Sequence, residues 1–264
     1  MLALYRAQFK TSLAQQLQYR VTMLIWLIGR VLEPVIYLVV WSAVAGATGG
    51  SVGGLAAEDF AAYYITLMLV NHLTFTWIMH EFEWRVREGW FSPVLLRPVH
   101  PIHADIADNL AYKALTTVVM IPVAVLLALA FKPAFNLSWW AAALFAPALA
   151  MAFGVRFLLG WTLAMAAFWV TRVTAINQLF FLAMLFLSGQ IAPLTLMPAP
   201  LQVAASVLPF RWVAAFPVEL LLGQLTPQEA LLGLGVQVIW LGLMLFVMSR
   251  LWRAAVRQYA AVNG

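Results

Sequence analysis

The sequence predicts an all-α integral membrane protein with six transmembrane helices, an N-terminal amphipathic interfacial helix, and outer re-entrant helices between spans five and six. Of its 264 residues, 64% are hydrophobic and only 9% are charged, whereas about a quarter of a typical soluble domain is charged. Several apolar runs are long enough to cross a hydrocarbon core of ~30 Å. Because these runs are continuous rather than alternating, we expect helices, which satisfy their own backbone hydrogen bonds in lipid.

The first 20 residues predict a helix that lies in the headgroup layer. Apolar residues recur there every three or four positions, with Arg6, Lys10 and several glutamines between them. This pattern suits the interface between water and anionic lipid, and an ordinary solvated helix is the alternative. We expect a single transmembrane domain over 1–264, in which the interfacial helix (1–20) precedes a six-span bundle (21–250) and a cytoplasmic tail (251–264).

The predicted spans begin and end at residues with recognisable local signals. A capping box, Thr226-Pro227-Gln228-Glu229, predicts the start of the last helix, with proline at its first position. Glycines between residues 46 and 54 predict the end of the first helix and a flexible connection after it. The six spans are predicted at 21–45, 60–80, 110–131, 138–169, 174–196 and 227–250.

The distribution of lysine and arginine predicts the orientation of these spans. Ten Lys and Arg residues lie in the terminal segments and in the connections 81–109 and 170–173, whereas the opposite connections contain only Lys132 and Arg211. The positive-inside rule therefore predicts a multi-pass protein of the cell membrane (inner or plasma membrane) with both termini in the cytoplasm. This topology also accounts for the net charge of +5, so membrane lipid is an expected partner and nucleic acid is not.

The larger of these cytoplasmic connections predicts a short, exposed helix. Gly89 ends the helix of the second span. Ser92 is a candidate cap with Pro93 at the first helical position, and Pro98 ends the new helix a turn later. The helix over 94–97 would expose two leucines, which favours docking to another protein. An interfacial loop whose leucines enter the lipid is the alternative.

The proline-rich outer segment before the last span predicts two short helices that dip into the outer leaflet. It is too apolar for a solvated loop and too often interrupted by proline for a spanning helix. We expect one helix to start at Pro198 or Pro200 and run to Pro209, and another to cover 211–222 with a bend at Pro217. Irregular backbone at this depth requires a covering of protein or a water-filled cavity, so the segment is predicted to gate a path.

Charged residues also lie inside the predicted spans. Arg30 and Glu33 are one turn apart in the first span, where an unpaired charge costs roughly 2.5–3.5 kcal/mol on insertion scales. A pair between them would lower that cost. Arg156 interrupts the fourth apolar run and is expected either to reach the inner headgroups or to face a polar path. A structural role and a place on a substrate path are the alternatives for all three residues.

The sequence contains no motif for catalysis or metal binding. It has no cysteine, which excludes thiolate metal sites and cysteine nucleophiles. No lysine follows a glycine as in a P-loop, and no Gly-x-Ser-x-Gly motif occurs. His80-Glu81 is not followed by the second histidine of a zinc protease, and His100 and His103 are expected to be ordinary loop residues. We therefore expect no enzymatic activity, no metal site and no cofactor in this chain.

In combination these features resemble the permease subunit of a type-2 ATP-binding-cassette (ABC) transporter of the exporter class. The resemblance covers nearly the whole chain, from the amphipathic lead-in through the spans to an aromatic and basic tail. It rests on the order and spacing of individually loose motifs, namely Arg87-Glu88-Gly89, Leu95-Leu96-Arg97-Pro98-Val99 with Pro101, Ser188-Gly189 with Pro193, Leu208-Pro209-Phe210, Pro217-Val218-Glu219 with Gly223, and Leu251-Trp252-Arg253 with Tyr259.

The resemblance implies that the short helix around 92–98 is a coupling helix, seated in a cleft of a separate cytoplasmic ABC ATPase that binds ATP and Mg. The residues implied in coupling are Gly89, Ser92, Pro93, Leu95, Leu96, Arg97, Pro98 and Pro101. A second permease, identical or related, would help to enclose the path, and the outer helices would close its exit. The outer gate implied in this way contains Gly189, Pro193, Pro209, Phe210, Pro217 and Glu219.

Two other classes of function are alternatives at this point. An ion-coupled secondary transporter often has inverted repeats and helices broken near the midplane, whereas here the predicted breaks lie at the outer edge and no repeat is evident. A membrane-embedded enzyme or scaffold would need convergent titratable groups, and the sequence shows no such cluster. The aromatic content of 14% suits a small hydrophobic or amphipathic cargo, and it suits lipid-facing packing equally well.

Overall fold

The computed structural model describes residues 2–170 and 172–263, except for the side chains of Leu2 and of 260–263. Met1, Thr171 and Gly264, which belong to the predicted interfacial helix, an inner connection and the tail, lie outside the described residues. The described chain is mostly helical. Its α-helices are α1 Leu2–Gln18, α2 Arg20–Ala47, α3 Ala57–Thr74, α4 Ile78–Arg87, α5 Phe91–Leu95, α6 Ile102–Phe131, α7 Trp139–Ala164, α8 Thr174–Leu187, α9 Ala199–Val207, α10 Pro209–Val213, α11 Ala215–Leu221 and α12 Pro227–Asn263, with 3-10 turns at Met165–Phe168 and Leu194–Leu196.

Four of the described helices are long and apolar enough to cross a membrane, namely α2, α6, α7 with its 3-10 extension, and α12. They correspond to the first, third, fourth and last predicted spans. The other two predicted spans are shorter as helices. α8 is apolar and has 14 residues, and α3 has 18 residues with Glu58 and Asp59 in its first turn. The architecture is that of an all-α integral membrane protein.

A β-hairpin connects α2 to α3. Its strands, β1 (Ser51–Val52) and β2 (Leu55–Ala56), pair antiparallel. Both residues of the intervening Gly53-Gly54 turn have positive φ, as a type I′ hairpin turn requires. The connection that was predicted to be flexible therefore contains a tight hairpin turn.

The connections between helices gather at two opposite ends of the bundle. At one end, the amide of Ala134 donates to the carbonyl of Glu58 (3.2 Å), and Trp41 Nε1 donates to the carbonyl of Ile191 (2.7 Å). At the other end, the amide of Val173 donates to the Glu83 carboxylate (3.0 Å). This grouping is the one expected when successive connections lie on alternate sides of a membrane.

The second predicted span, 60–80, is wrong as a continuous helix. α3 ends at Thr74, and Phe75 adopts an extended conformation (φ −63°, ψ 149°) before α4 begins. The break contains no proline or glycine. Instead, Lys113 Nζ donates to the Phe75 carbonyl (2.7 Å), and Arg156 Nη1 donates to Thr74 Oγ1 (2.8 Å). Because these partners come from α6 and α7, no local sequence signal predicts the break.

The fifth predicted span, 174–196, is also wrong in its length. α8 ends at Leu187, and Gly189 follows with a φ of 83°. The carbonyl of Gly189 accepts a hydrogen bond from the Tyr63 hydroxyl (2.8 Å). This bond from α3 holds the chain in a left-handed turn, which directs it away from the helix axis.

The last helix begins as predicted and ends later. The amide and hydroxyl of Thr226 both lie 2.8 Å from Glu229 Oε2, and the Glu229 amide donates back to Thr226 Oγ1 (3.3 Å), so the capping box is confirmed. The helix then continues past 250 to Asn263, and the predicted tail is helical. Its extension is stabilised by packing, since Ala255 and Tyr259 are buried in the main core.

We expect Gly189→Ala to lower the thermal stability of the detergent-solubilised protein. A Cβ at this position would collide with the Tyr63 hydroxyl, and the left-handed backbone alone costs an L-residue about 1–2 kcal/mol. Gly46→Ala in α2 is the matched control, because no atom lies within 4 Å of its Cβ position and alanine favours a helix. Equal midpoints of thermal unfolding for the two variants would contradict the role assigned to Gly189.

Candidate functional site

The exposed turn between α4 and α6 is built on a glycine-terminated helix. The amide of Gly89 donates to the Val86 carbonyl (3.2 Å), and the amide of Trp90 donates to the Arg85 carbonyl (2.9 Å). These two bonds form a Schellman motif, which requires the positive φ of 73° that Gly89 adopts. Gly89 therefore ends α4, as the sequence predicts.

The short helix α5 begins earlier than predicted. It covers Phe91–Leu95 rather than 94–97, so Ser92 and Pro93 lie inside its first turn. The predicted cap is wrong, because no side-chain cap bond is present and Ser92 Oγ lies 2.8 Å from the Tyr259 hydroxyl instead. Burial of Phe91, which is 3% exposed, sets the start of the helix.

Most of the predicted coupling residues form one exposed surface. Leu96 is 88% exposed. Leu95 packs half-buried against the core, so one leucine rather than two is fully presented. Pro101 is half-buried and precedes the first residue of α6. The exposed members of the set are Ser92, Pro93, Leu96, Arg97 and Pro98.

An aromatic cluster anchors α5 to three neighbouring segments. The Phe91 ring lies 4.8 Å from that of Phe82 in α4 and 5.3 Å from that of Phe168. It also lies 6.2 Å from Trp252 in α12. Trp161 of α7 contacts both Phe82 (5.3 Å) and Trp252 (5.1 Å) between ring centroids. α5 therefore contacts α4, the 3-10 turn after α7, and α12 directly, and Phe82 and Trp252 connect it to α7.

A polar network beside this cluster was missed by the sequence reasoning. Arg85 donates to Asp105 Oδ1 (2.6 Å) and to Glu81 Oε2 (2.6 Å). Trp161 Nε1 donates to the other oxygen of Asp105 (2.9 Å). Burial opposes the charge of Arg85, but the two carboxylates raise its pKa above the ordinary value. The spacing of Glu81 and Arg85, four residues apart on one helix, was the available sequence signal.

His100 packs into the same end of the bundle. Its ring lies 4.7 Å from that of Trp252 and 5.5 Å from that of Trp161, and its Nδ1 accepts a hydrogen bond from the Ile102 amide (3.2 Å). Burial lowers the pKa of His100, and the neighbouring His103 lowers it further. The lowered pKa favours the neutral ring, which is the form that can accept this bond at the start of α6.

Helix α1, which was predicted to be interfacial, is bonded to the first part of α6. The Tyr5 hydroxyl lies 2.7 Å from His103 Nδ1. Gln8 Nε2 donates to Asp108 Oδ1 (3.2 Å), and the Ser12 hydroxyl also donates to Asp108. These contacts place α1 alongside the bundle at the end that carries α5.

The intramembrane charges do not pair as predicted. No ion pair joins Arg30 to Glu33 among the described residues. The guanidinium of Arg30 instead lies 3.1 Å from the centroid of the Phe75 ring, which is a cation–π contact. Arg156 is 5% exposed and donates to Asn71 Oδ1 (2.9 Å) and Thr74 Oγ1 (2.8 Å). Arg156 therefore lies inside the bundle rather than reaching for the headgroups.

Lys113 is a further buried cation that sequence reasoning passed over. It is 6% exposed, and it lies 4.7 Å from the centroid of the Phe153 ring. It lies near the start of the third predicted span, 110–131, and was given no role from the sequence. The fold places it instead at the end of α3, where Nζ contacts the Phe75 carbonyl.

A cavity of about 390 Å³ lies beside Arg30 and Arg156. It is bounded by α2, α3 and α8, and by the break after α3. Arg30, Glu33 and Arg156, which were predicted separately, all line it. Aromatic rings form much of the remaining wall, including those of Trp26, Tyr37, Phe75, Trp77 and Phe181.

The outer connection after α8 is held by hydrogen bonds from other helices. The Tyr64 hydroxyl and Trp41 Nε1 both donate to the Ile191 carbonyl, each at 2.7 Å. The neighbouring Gly189 and Pro193 are buried. The segment is therefore covered by protein, which is what the predicted position within a membrane requires of irregular backbone.

The short helices that follow differ in part from the prediction. α9 begins after Pro198 and ends before Pro209, as expected. The second predicted helix, 211–222, is divided at Ala214 into α10 and α11 rather than bent at Pro217. Pro217 lies in the first turn of α11, where its missing amide hydrogen costs no intrahelical bond.

The remaining predicted gate residues lie in these same helices. Phe210 is half-buried in α10, and its ring lies 6.2 Å from that of Phe180 in α8. Glu219 of α11 is 7% exposed, and Arg211 Nη2 donates to it at 2.8 Å. This ion pair joins α10 to α11 across the division at Ala214.

Comparison with known proteins identifies the family. No match was found among curated proteins. A family model described as ABC-2 family transporter protein matches residues 31–262, a range that contains α5, most of the cavity wall and the outer helices. The resemblance inferred from the motifs is thereby confirmed. The chain belongs to the ABC-2 family of transporter proteins, the membrane permease components of ABC transporters.

Proposed function

We propose that this chain is the transmembrane permease subunit of an ATP-driven ABC exporter. In this role it forms the substrate path and couples to a separate cytoplasmic ATPase. Membership of the ABC-2 family supports the partnership with an ATPase. The observation that carries the proposal is α5 and the turn after it, where an exposed apolar and basic surface is fixed on a buried aromatic cluster.

The surface around α5 has the properties of a docking element. Leu96 is 88% exposed and is followed by the exposed Arg97 and Pro98. A single exposed leucine on a rigid turn can fill an apolar cleft on a partner, and arginine can pair with carboxylates at its rim. The coupling set in this proposal is Gly89, Ser92, Pro93, Leu95, Leu96, Arg97, Pro98 and Pro101.

In this proposal the partner subunit, and not this chain, binds and hydrolyses ATP. The chain has no P-loop, so ATP and Mg would bind to the ATPase subunit. Closure of the ATPase on ATP would push on α5, and the aromatic contacts would pass the displacement to α4, α7 and α12. Two permease subunits, identical or related, would change between inward-open and outward-open arrangements in this way.

We further propose that the chain crosses the cell membrane six times, with both termini in the cytoplasm and one transmembrane domain over 1–264. At 1.5 Å per residue, α3 is about 27 Å long and α8 about 21 Å long. α3 therefore nearly matches a hydrocarbon core of ~30 Å. α8 needs the connection at 188–196 to complete its crossing, and this connection is buried or half-buried except at Thr195.

The outer segment is proposed as the gate of the path. Gly189, Pro193, Pro209, Phe210, Pro217 and Glu219 belong to a set of short helices and turns at the end of the bundle opposite α5. Short elements joined by a few hydrogen bonds and one ion pair can rearrange more readily than the long helices. The cargo in this proposal is a small hydrophobic or amphipathic compound.

We expect Leu96→Asp and Arg97→Glu each to abolish transport-coupled ATP hydrolysis. The first variant places a charge in the apolar cleft, and the second reverses the charge at its rim. The measurement is the ATPase rate of the co-purified complex in lipid, compared with that of the ATPase alone. Arg257→Glu, an exposed charge reversal on α12, is the matched control. Normal coupled turnover in both Leu96→Asp and Arg97→Glu complexes would remove α5 from the coupling path.

We expect Tyr259→Phe to weaken coupling by less than the Leu96 variant. The substitution deletes the contact with Ser92 Oγ, and a hydrogen bond contributes about 0.5–1.5 kcal/mol, or up to about tenfold in turnover. Ser92→Ala should have an equal or smaller effect, and the double variant should be no worse than Tyr259→Phe alone. Additive losses in this double-mutant cycle would show that the two side chains act independently.

The absence of cysteine allows a direct test of the proposed topology. Ser51→Cys, in the hairpin between α2 and α3, should react with a membrane-impermeant maleimide in intact cells. Arg257→Cys should react only after the membrane is permeabilised. The reverse pattern would place the termini outside, and labelling of both positions in intact cells would contradict the six-span arrangement.

A further inference from the structure

We propose that the cavity between α2, α3 and α8 binds the transported compound through an anionic head group, so that the cargo is an anionic amphiphile. This inference rests on the proposed permease function, because it names the class of cargo. The cavity of about 390 Å³ lies within the range of small-molecule sites. Its charges and its apolar wall specify the chemistry of the ligand.

The charged side chains that line the cavity carry a net positive charge. Arg30 and Arg156 line it, and Glu33 is the one carboxylate among the lining residues. Within the described chain no carboxylate lies at ion-pair distance from either arginine. An arginine stays protonated even when buried. An anion in the cavity would therefore balance the net positive charge of these side chains.

The guanidinium groups retain donors for such an anion. Both hydrogen bonds of Arg156 to described residues use Nη1 alone, with Asn71 and Thr74 as acceptors, while a guanidinium carries five N–H donors. The Arg30 guanidinium carbon lies over the Phe75 ring, 3.1 Å from its centroid. This contact uses the charge of the guanidinium, and its N–H groups can donate two parallel hydrogen bonds to a phosphate or carboxylate.

The remaining wall suits an apolar chain. Trp26 lines the cavity and is 56% exposed, so this side opens toward the surroundings of the bundle. Its ring lies 5.2 Å from that of Trp77, and Phe181 and Met184 continue the apolar lining on α8. An amphiphile could place its head group between the arginines while its chain extends along these rings toward lipid.

A substitution of Arg30 distinguishes a binding role from a structural role better than a substitution of Arg156 does. Arg156 also holds the end of α3 through Asn71 and Thr74, so its loss could disturb the fold. The described contacts of Arg30 are to the rings of Phe75 and Trp77. Gly29 gives a second approach, because no atom lies within 4 Å of its Cβ position. A leucine there would fill the cavity and leave both arginines in place.

The test measures equilibrium binding to the permease–ATPase complex, and to the permease chain alone, in phosphatidylcholine nanodiscs, with empty nanodiscs as the background. The probes are dodecyl phosphate, dodecyltrimethylammonium and inorganic phosphate. We expect dodecyl phosphate to bind at least about tenfold more tightly than the ammonium compound, and Arg30→Gln to remove about a tenfold advantage. Arg30→Lys should restore part of it. Glu33→Gln should strengthen binding, since it removes the opposing charge.

Two steric variants complete the design. Gly29→Leu should weaken binding of both dodecyl compounds, whereas Gly242→Leu on α12, which also has open space at its Cβ, should change neither. Equal affinity for the two dodecyl probes, or unchanged binding in Arg30→Gln and Gly29→Leu, would overturn the proposal. Displacement of dodecyl phosphate by equimolar inorganic phosphate would also overturn it, because the site would then bind free anions.

The outcome is separable from that of the proposed function. Assembly with the ATPase and dependence of its turnover on α5 are measured without any amphiphile. A complex that passes those assays and shows no preference for dodecyl phosphate keeps its permease role and loses the anionic cargo. A chain that binds dodecyl phosphate but assembles with no ATPase keeps the anion site and loses the coupling mechanism.

Discussion

The end of α3 lies inside the bundle, and cations from two other helices satisfy it. Lys113 of α6 donates to the Phe75 carbonyl, and Arg156 of α7 donates to Asn71 and Thr74. In a helix ending in water these groups would be solvated, but in lipid they need protein partners. Each buried cation costs roughly 2.5–3.5 kcal/mol on insertion scales, and these bonds offset that cost. These bonds permit the break between α3 and α4, and Phe75 and Trp77 in that break line the cavity.

α7 links the cavity to the exposed turn at α5. It carries Arg156 at the cavity and Trp161, five residues later, in the aromatic cluster beneath α5. This separation is about 7.5 Å along a rigid helix. Trp161 is also bonded to Asp105, which holds Arg85 of α4. α7 therefore joins the aromatic cluster beneath α5 to the cavity, and the short helices α10 and α11 also pack against it.

Local sequence signals predicted those features that depend on neighbouring residues. The capping box at Thr226, the glycine that ends α4 and the start of α9 after Pro198 are all present. Predictions that extended a helix through an apolar run were wrong where a distant side chain interrupts it, as Tyr63 does at Gly189 and Lys113 does at Phe75. The start of α5 was wrong because the burial of Phe91, and not the capping potential of Ser92, decides it.

The sequence by itself determined that this is a helical membrane protein of the ABC-2 family, because composition, apolar run length and motif order are properties of the chain alone. Only the tertiary structure decided which charged side chains lie close together. Arg30, Glu33 and Arg156 come from α2 and α7, yet they line one cavity. The predicted pair of Arg30 with Glu33 gave way to a cation–π contact with Phe75. The physical reason is that a buried charge takes the partner that helix packing brings within reach, and sequence spacing fixes only the neighbours on its own helix.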